Sequence, residues 1–275
     1  MNSLFRVSAI NSYLTAQEFL DENPGRTIDQ AKIQLSAKSY SGDRLDWEAV
    51  EKLRRLIETP LPKDRASAFR LCLAKLIHNT QPGWVTLLFS GRDVALRNLD
   101  PDTVQCLETA GVFTTIPNAD VVAWLDEISI LAISIRARSN LAKGRAAERL
   151  SLQYEKNCLA GAGINRTVEW VALNDNHAGY DILSWTYQNG AITPKLIEVK
   201  AYSGITASFY ITRHEWETAQ AMISPYVFQV WGLENGTLIE ISKADVLPHI
   251  PTDNQNGAWQ TAIIRLNLAD TRYKL

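Results

Sequence analysis

Asp181, Glu198 and Lys200 combine two carboxylates with a lysine at a spacing suited to holding a hard cation against a phosphate. Glu198 and Lys200 lie on either side of Val199, so in an extended strand both project from one face while Ile197, Val199 and Ala201 take the other. Mg²⁺ or Mn²⁺ takes carboxylate oxygens as ligands. A cation so bound polarises a phosphoryl oxygen and lowers the pKa of a coordinated water, while a nearby lysine orients or helps deprotonate that water and stabilises developing charge. The same three charges would also suit an ion-paired hairpin with no activity.

The element that must position them is a β-hairpin. Asn189-Gly190 fits a two-residue type I′ turn, because both residues tolerate positive φ. With those two in the loop, Gln188 faces Ala191, and counting outward sets Trp185 opposite Pro194, Leu183 opposite Leu196 and Asp181 opposite Glu198. The last pair falls in the non-hydrogen-bonded class, where facing side chains are closest. Pro194 falls in the same class, where its missing N–H costs the ladder nothing. Two carboxylates roughly 5 Å apart repel by about 3 kcal/mol when partly buried and by less than about 1 kcal/mol in open water, so a cation belongs between them.

The D…ExK arrangement of Asp181, Glu198 and Lys200 resembles the signature of the PD-(D/E)xK nucleases. More closely, GRAAE at 144–148, GYDI at 179–182, IEVKA at 197–201 and FYITRHEW at 209–216 resemble the nuclease-like domain named after the C-terminus of the plant protein NO VEIN. The likeness covers residues from about 140 to 235. Tyr180 stands where the superfamily signature has proline, a position that shapes the backbone and supplies no ligand. The resemblance implies a restriction-endonuclease-like αβββαβ core with a mixed sheet, an α/β (α+β) fold class, and a Mg²⁺- or Mn²⁺-dependent endonuclease acting on DNA in restriction or antiviral defence. It also implies a role for Glu148, which would join Asp181 and Glu198 as a metal ligand from the preceding helix. The alternative for Glu148 is a structural salt bridge with Arg145 or Lys200. Gln220 and Tyr226 resemble, at longer spacing, a Gln/Tyr motif of some of these nucleases, which makes Gln220 a DNA-contact candidate.

At 275 residues the chain suits two ordinary domains, and its net charge of −2 is not that of a general nucleic-acid binder. A nuclease needs only a local basic surface. Arg136, Arg138, Lys143, Arg145 and Arg149 supply five basic residues in one short segment, as phosphate contacts or as a solvated helix face. Cys72, Cys106 and Cys158 are odd in number and widely spaced, which argues against a disulfide framework or a zinc knuckle. No HExxH, Walker A or GxSxG sequence occurs. With no membrane-spanning apolar run and no signal-peptide pattern over 1–13, cytoplasmic residence is the expectation.

From residue 1 to about 135 the pattern is mostly helical, and 1–139 are expected to form a helical domain. Thr27 to Gln30 resembles a capping box, Asp100-Pro101 suits a helix start, and 103–125 is compatible with the second helix and wing of a winged-helix module, with the turn or ribbon at 111–117. A connecting helix is expected over 120–138. From 140 onward the order becomes helix (141–158), strand (167–173), hairpin, a helix from Thr212-Arg213-His214-Glu215 to Met222, and strands at 226–233 and 237–241. Glu215 is the capping partner of Thr212, and His214 an exposed first-turn residue. Trp170, Trp185, Trp216 and Trp231 are expected in the core. A final strand near 261–268 belongs to an extension without an assigned role. A homodimer or a larger defence complex is the expected assembly. An inactive nuclease-fold DNA-binding module, or a scaffold whose helical domain recruits a partner, competes with the active enzyme.

Overall fold

The computed structural model describes residues 4–38, 44–175, 177–204 and 206–266. The chain divides into two compact units, Met1–Arg138 and Ser139–Leu275. No helix among the described residues is long and apolar enough to cross a membrane.

The first unit consists of α1 (Val7–Glu22), α2 (Ile28–Lys38), α3 (Trp47–Leu56), α4 (Arg65–Thr80), a 3₁₀ segment (Gly83–Phe89), α5 (Arg92–Asn98), α6 (Pro101–Thr109) and the start of α7 (Ala119–Gly161). Local chemistry fixes most of the starts. Asp46, Asp64 and Asp100 each accept a hydrogen bond from the backbone N–H three residues on, and Thr27 and Gln30 exchange the two bonds of a capping box. Ile10, Leu53, Phe69, Leu73, Leu76, Ile77, Leu107 and Ile128 are buried together. Arg70 is buried with them, donating to the Ala110 carbonyl, while its own carbonyl accepts from Trp124 Nε1. The expected wing is absent, since the described residues of this unit contain no strand. Residues 111–117 instead close the end of α6. Gly111 has φ +76°, its N–H donates to Glu108, and Val112 donates to Leu107, so the chain turns back without a ribbon.

α7 is one helix of 43 residues, where two had been expected with a break near Asn140. No proline interrupts it, and Gly144 is tolerated within it. It ends where Ile164 donates to Leu159 and Gly163 takes φ +68°.

In the second unit a mixed five-stranded sheet has the order β1-β2-β3-β5-β6. Its strands are β1 (Glu169–Trp170), β2 (Ile182–Gln188), β3 (Ala191–Tyr202), β5 (Tyr226–Gly232) and β6 (Thr237–Ser242). Between β3 and β5 come β4 (Ala207–Thr212) and α8 (Arg213–Ala221), which cross over to make β3 and β5 parallel. After β6 follow α9 (Lys243–Val246), a 3₁₀ turn (Leu247–His249) and β7 (Thr261–Leu266). β7 pairs with β4 in a separate two-stranded sheet, giving the C-terminal extension a structural place. The residues expected to end that strand, 267–268, lie outside the described residues.

The two sheet faces have separate cores. Ile182, Ile197, Val199 and Trp231 pack with Ala147 and Leu159 of α7, whereas Leu196, Tyr202, Tyr226 and Phe228 pack with Trp216 and Ala219 of α8. The strand expected over 167–173 shrinks to two residues, because the Val171 and Ala172 N–H groups both turn onto the Asp181 carbonyl.

Candidate active site at the open end of the hairpin

The hairpin has the register set by its turn, from Gln188↔Ala191 through Trp185↔Pro194 to Ile182↔Ile197. The expected pairing of Asp181 with Glu198 is the one step that fails. Asp181 N–H donates to the Ile197 carbonyl, and its carboxylate Oδ2 accepts the Val199 N–H at 2.7 Å. The side chain thus occupies the place of the backbone acceptor that β2 no longer supplies. Asp181 sits in the plane of the sheet at the strand end.

Alternation along β3 sends Glu198 and Lys200 to the α8 face. Lys200 Nζ donates to Glu198 Oε1 at 2.7 Å and to Glu215 Oε2 at 2.8 Å. Glu215 is the residue that sequence reasoning missed. Its Oε2 also accepts the Thr212 N–H in a complete capping box, so the cap that starts α8 aims this carboxylate at Lys200. A capping Glu carries no sequence mark of a second duty; the one usable signal was that its helix begins directly after β4.

The loop before Asp181 is fastened to β5 and to α8. Tyr226 Oη donates to the Gly179 carbonyl at 2.6 Å, and His214 Nε2 lies 3.0 Å from the His177 carbonyl. Gly179 has φ +75°, and a Cβ there would come within 2.3 Å of Thr218 Oγ1, so only glycine allows this approach.

Glu148 stands apart from that chain of hydrogen bonds. It is buried on α7, on the other face of the sheet, where Oε2 accepts from Arg145 Nη1 at 2.7 Å and from Trp170 Nε1. Arg145 and Arg149 both lie over the Trp170 ring. The salt bridge with Arg145 that was one reading of Glu148 is therefore present, and its link to the remaining carboxylates is electrostatic, through Asp181. Of the basic set, Arg138 donates to Gln81 and to the Ser134 carbonyl, Arg145 holds Glu148, and Arg136, Lys143 and Arg149 are exposed. Gln220 is exposed on α8. Of the four tryptophans expected in the core, Trp216 and Trp231 are buried there, whereas Trp170 and Trp185 are only half-buried.

Three acids, Asp181, Glu198 and Glu215, surround one lysine. Burial, together with the charges of Glu148 and Glu215, pushes the Asp181 carboxyl up to about 6, although the Val199 N–H and Lys200 oppose the rise. Burial likewise raises Glu198 well above the usual carboxylate range, with Lys200 opposing and Asp181 and Glu215 adding to it. Lys200 is disfavoured as a cation by burial, but Glu198 and Glu215 outweigh that and raise its pKa. Among the described residues no group of three His, Cys, Asp or Glu side chains is arranged to hold a metal ion. Mg²⁺ needs fewer, since it commonly keeps several waters and binds through one or two carboxylates plus substrate phosphate. Asp181 and Glu198 offer oxygen donors only, the type such an ion takes.

No curated protein and no solved structure matches the chain. Residues 147–241 match the family described as Protein NO VEIN, C-terminal, a stretch running from α7 through β6 that contains Glu148, Asp181, Glu198, Lys200 and Glu215.

Proposed function

We propose that the second unit is a metal-dependent endonuclease that hydrolyses nucleic-acid phosphodiesters, with DNA as substrate and restriction or antiviral defence as its setting. The observation that carries this reading is the buried Lys200 ammonium between Glu198 and Glu215 at the strand end where Asp181 adds a further carboxylate. The match of residues 147–241 to a family of nuclease-like domains supports the same class.

Asp181 and Glu198 would hold Mg²⁺ or Mn²⁺, which when bound supplies Lewis-acid polarisation of the phosphate and a more acidic water. Lys200 Nζ has three N–H donors, two of them directed at carboxylates. The third can reach a phosphate oxygen and stabilise the negative charge that develops there. Its raised pKa makes it a charge-stabilising donor at neutral pH in preference to a base. Glu215 fixes where that ammonium sits. Tyr226 holds the loop that delivers Asp181, and Gly179 lets that loop pack against Thr218.

A second reading, an inactive nuclease-fold binding module, is favoured by one observation: among the described residues no three His, Cys, Asp or Glu side chains are grouped to hold a metal ion. Incubation of the purified chain with linear and circular DNA and with RNA, with Mg²⁺, Mn²⁺ or a chelator, separates the two. Cleavage that needs the metal and vanishes in Asp181→Ala supports the enzyme. DNA retention without cleavage under every metal condition supports the module.

A further inference from the structure

The first half of α7 presents an apolar patch to solvent. Ile130 is 72% exposed and Ile133 68% exposed, while the opposite side of the helix, through Val121, Trp124, Ile128 and Ala132, is buried in the first unit. Two β-branched residues this open, one turn apart, are costly to hydrate and of no use to the monomer's own core.

The charges around them are ordered by sign. Asp126 and Glu127 lie just before Ile130, and Arg136 and Arg138 just after Ile133, all four exposed. A helix with its acids at one end of an apolar patch and its bases at the other is complementary to itself when reversed. Antiparallel packing sets Ile130 beside Ile133 of the other copy and Asp126 and Glu127 beside the other copy's Arg136 and Arg138. The arrangement repeats by two-fold symmetry. Parallel packing would place like charges together.

We infer that this face of α7 is a homodimer interface in which two copies of the chain pair antiparallel about Ile130 and Ile133. His78 on α4 lies 2.8 Å from Glu127, and Gln81 at the C-cap of α4 accepts from Arg138, so both of these charged side chains are anchored to the first unit. A single helix pair is small beside a standard interface of about 1,600 Å². The dimer is accordingly concentration-dependent.

Sedimentation velocity of the full chain over a wide concentration range tests this without reference to any activity. The weight-average mass should rise toward twice that of the chain. Ile130→Glu with Ile133→Glu should remain monomeric throughout and melt where the dilute, monomeric wild type melts, because both residues lie outside the core. Asp126→Arg and Arg136→Asp should each weaken the dimer roughly tenfold or more, and the two together should restore it, since the swap recreates the opposite-sign contact. A wild-type chain that stays monomeric at every concentration would overturn the inference. So would a dimer indifferent to the two glutamates, or a double swap weaker than either single change.

Discussion

Two lysines five residues apart on β3 make the same kind of contact on opposite faces of one sheet. Lys195 Nζ bonds Glu155 Oε1 at 3.0 Å and Glu240 Oε2 at 2.8 Å beneath α7, while Lys200 bonds Glu198 and Glu215 beneath α8. Their odd spacing is what separates them. Around Lys195 the network binds both acids a second time: the buried Gln229 amide nitrogen donates to Glu155 and Glu240, knitting α7, β3, β5 and β6 together, while its Oε1 has no hydrogen-bond partner among the described residues. Around Lys200 it stays open, because Asp181 brings a third carboxylate to the end of a strand. A lysine between two carboxylates is therefore a structural device until an acid is added that the lysine cannot neutralise.

Replacing each lysine by methionine breaks the likeness most forcefully. Lys200→Met is expected to abolish cleavage, by at least about a hundredfold, the scale of a lost charge-stabilising donor. Lys195→Met should instead cost about 3–5 kcal/mol of stability, read by denaturant unfolding, because it strands the buried Glu155, while the folded fraction keeps its cleavage rate.

Next in size is Asp181→Asn, which should lose cleavage and gain stability at neutral pH. The sign follows from its raised pKa. The folded protein binds a proton between the ordinary value of 3.8 and about 6, so this group's stabilisation is complete below that window and is lost as pH rises through it. The effect is on the order of 3 kcal/mol. Thermal melts from pH 4 to 7 should fall for the wild type and flatten in the variant, whose amide oxygen still accepts from Val199. Mg²⁺ should raise the wild-type melting temperature more at pH 7 than at pH 5, where protons compete with the cation.

A smaller contrast separates Glu215 from its cap. Thr212→Ala should cost about 1 kcal/mol of stability with cleavage unaltered. Glu215→Gln retains a capping acceptor but removes one charge from Lys200, and should lower kcat while changing stability less.

The sequence made local features legible and long-range ones not. Asn189-Gly190 determined the register down to Ile182↔Ile197, and Thr212, Thr27 and Asp100 marked helix starts correctly, because in each the cause lies within a few residues of the effect. The turning-in of Asp181 was invisible. It depends on Val171 and Ala172, about ten residues away, taking the Asp181 carbonyl and ending the ladder one pair early. The pairing of β4 with β7 joins segments some fifty residues apart with no turn signal between them. The unbroken α7 was missed for a different reason: the change of pattern near Asn140 marks where one unit gives way to the next, and nothing in Arg138-Ser139-Asn140 stops a helix. Glu215 is the cap its sequence context implies; its second contact, with Lys200, arises only in the tertiary fold.

The most direct test is a single-turnover cleavage assay on labelled DNA with Mg²⁺, run side by side on wild type, Lys195→Met and Lys200→Met at equal folded concentration. Cleavage by the first two and none by the third is the predicted result. Undiminished cleavage by Lys200→Met would contradict the assignment of the open centre as the active site.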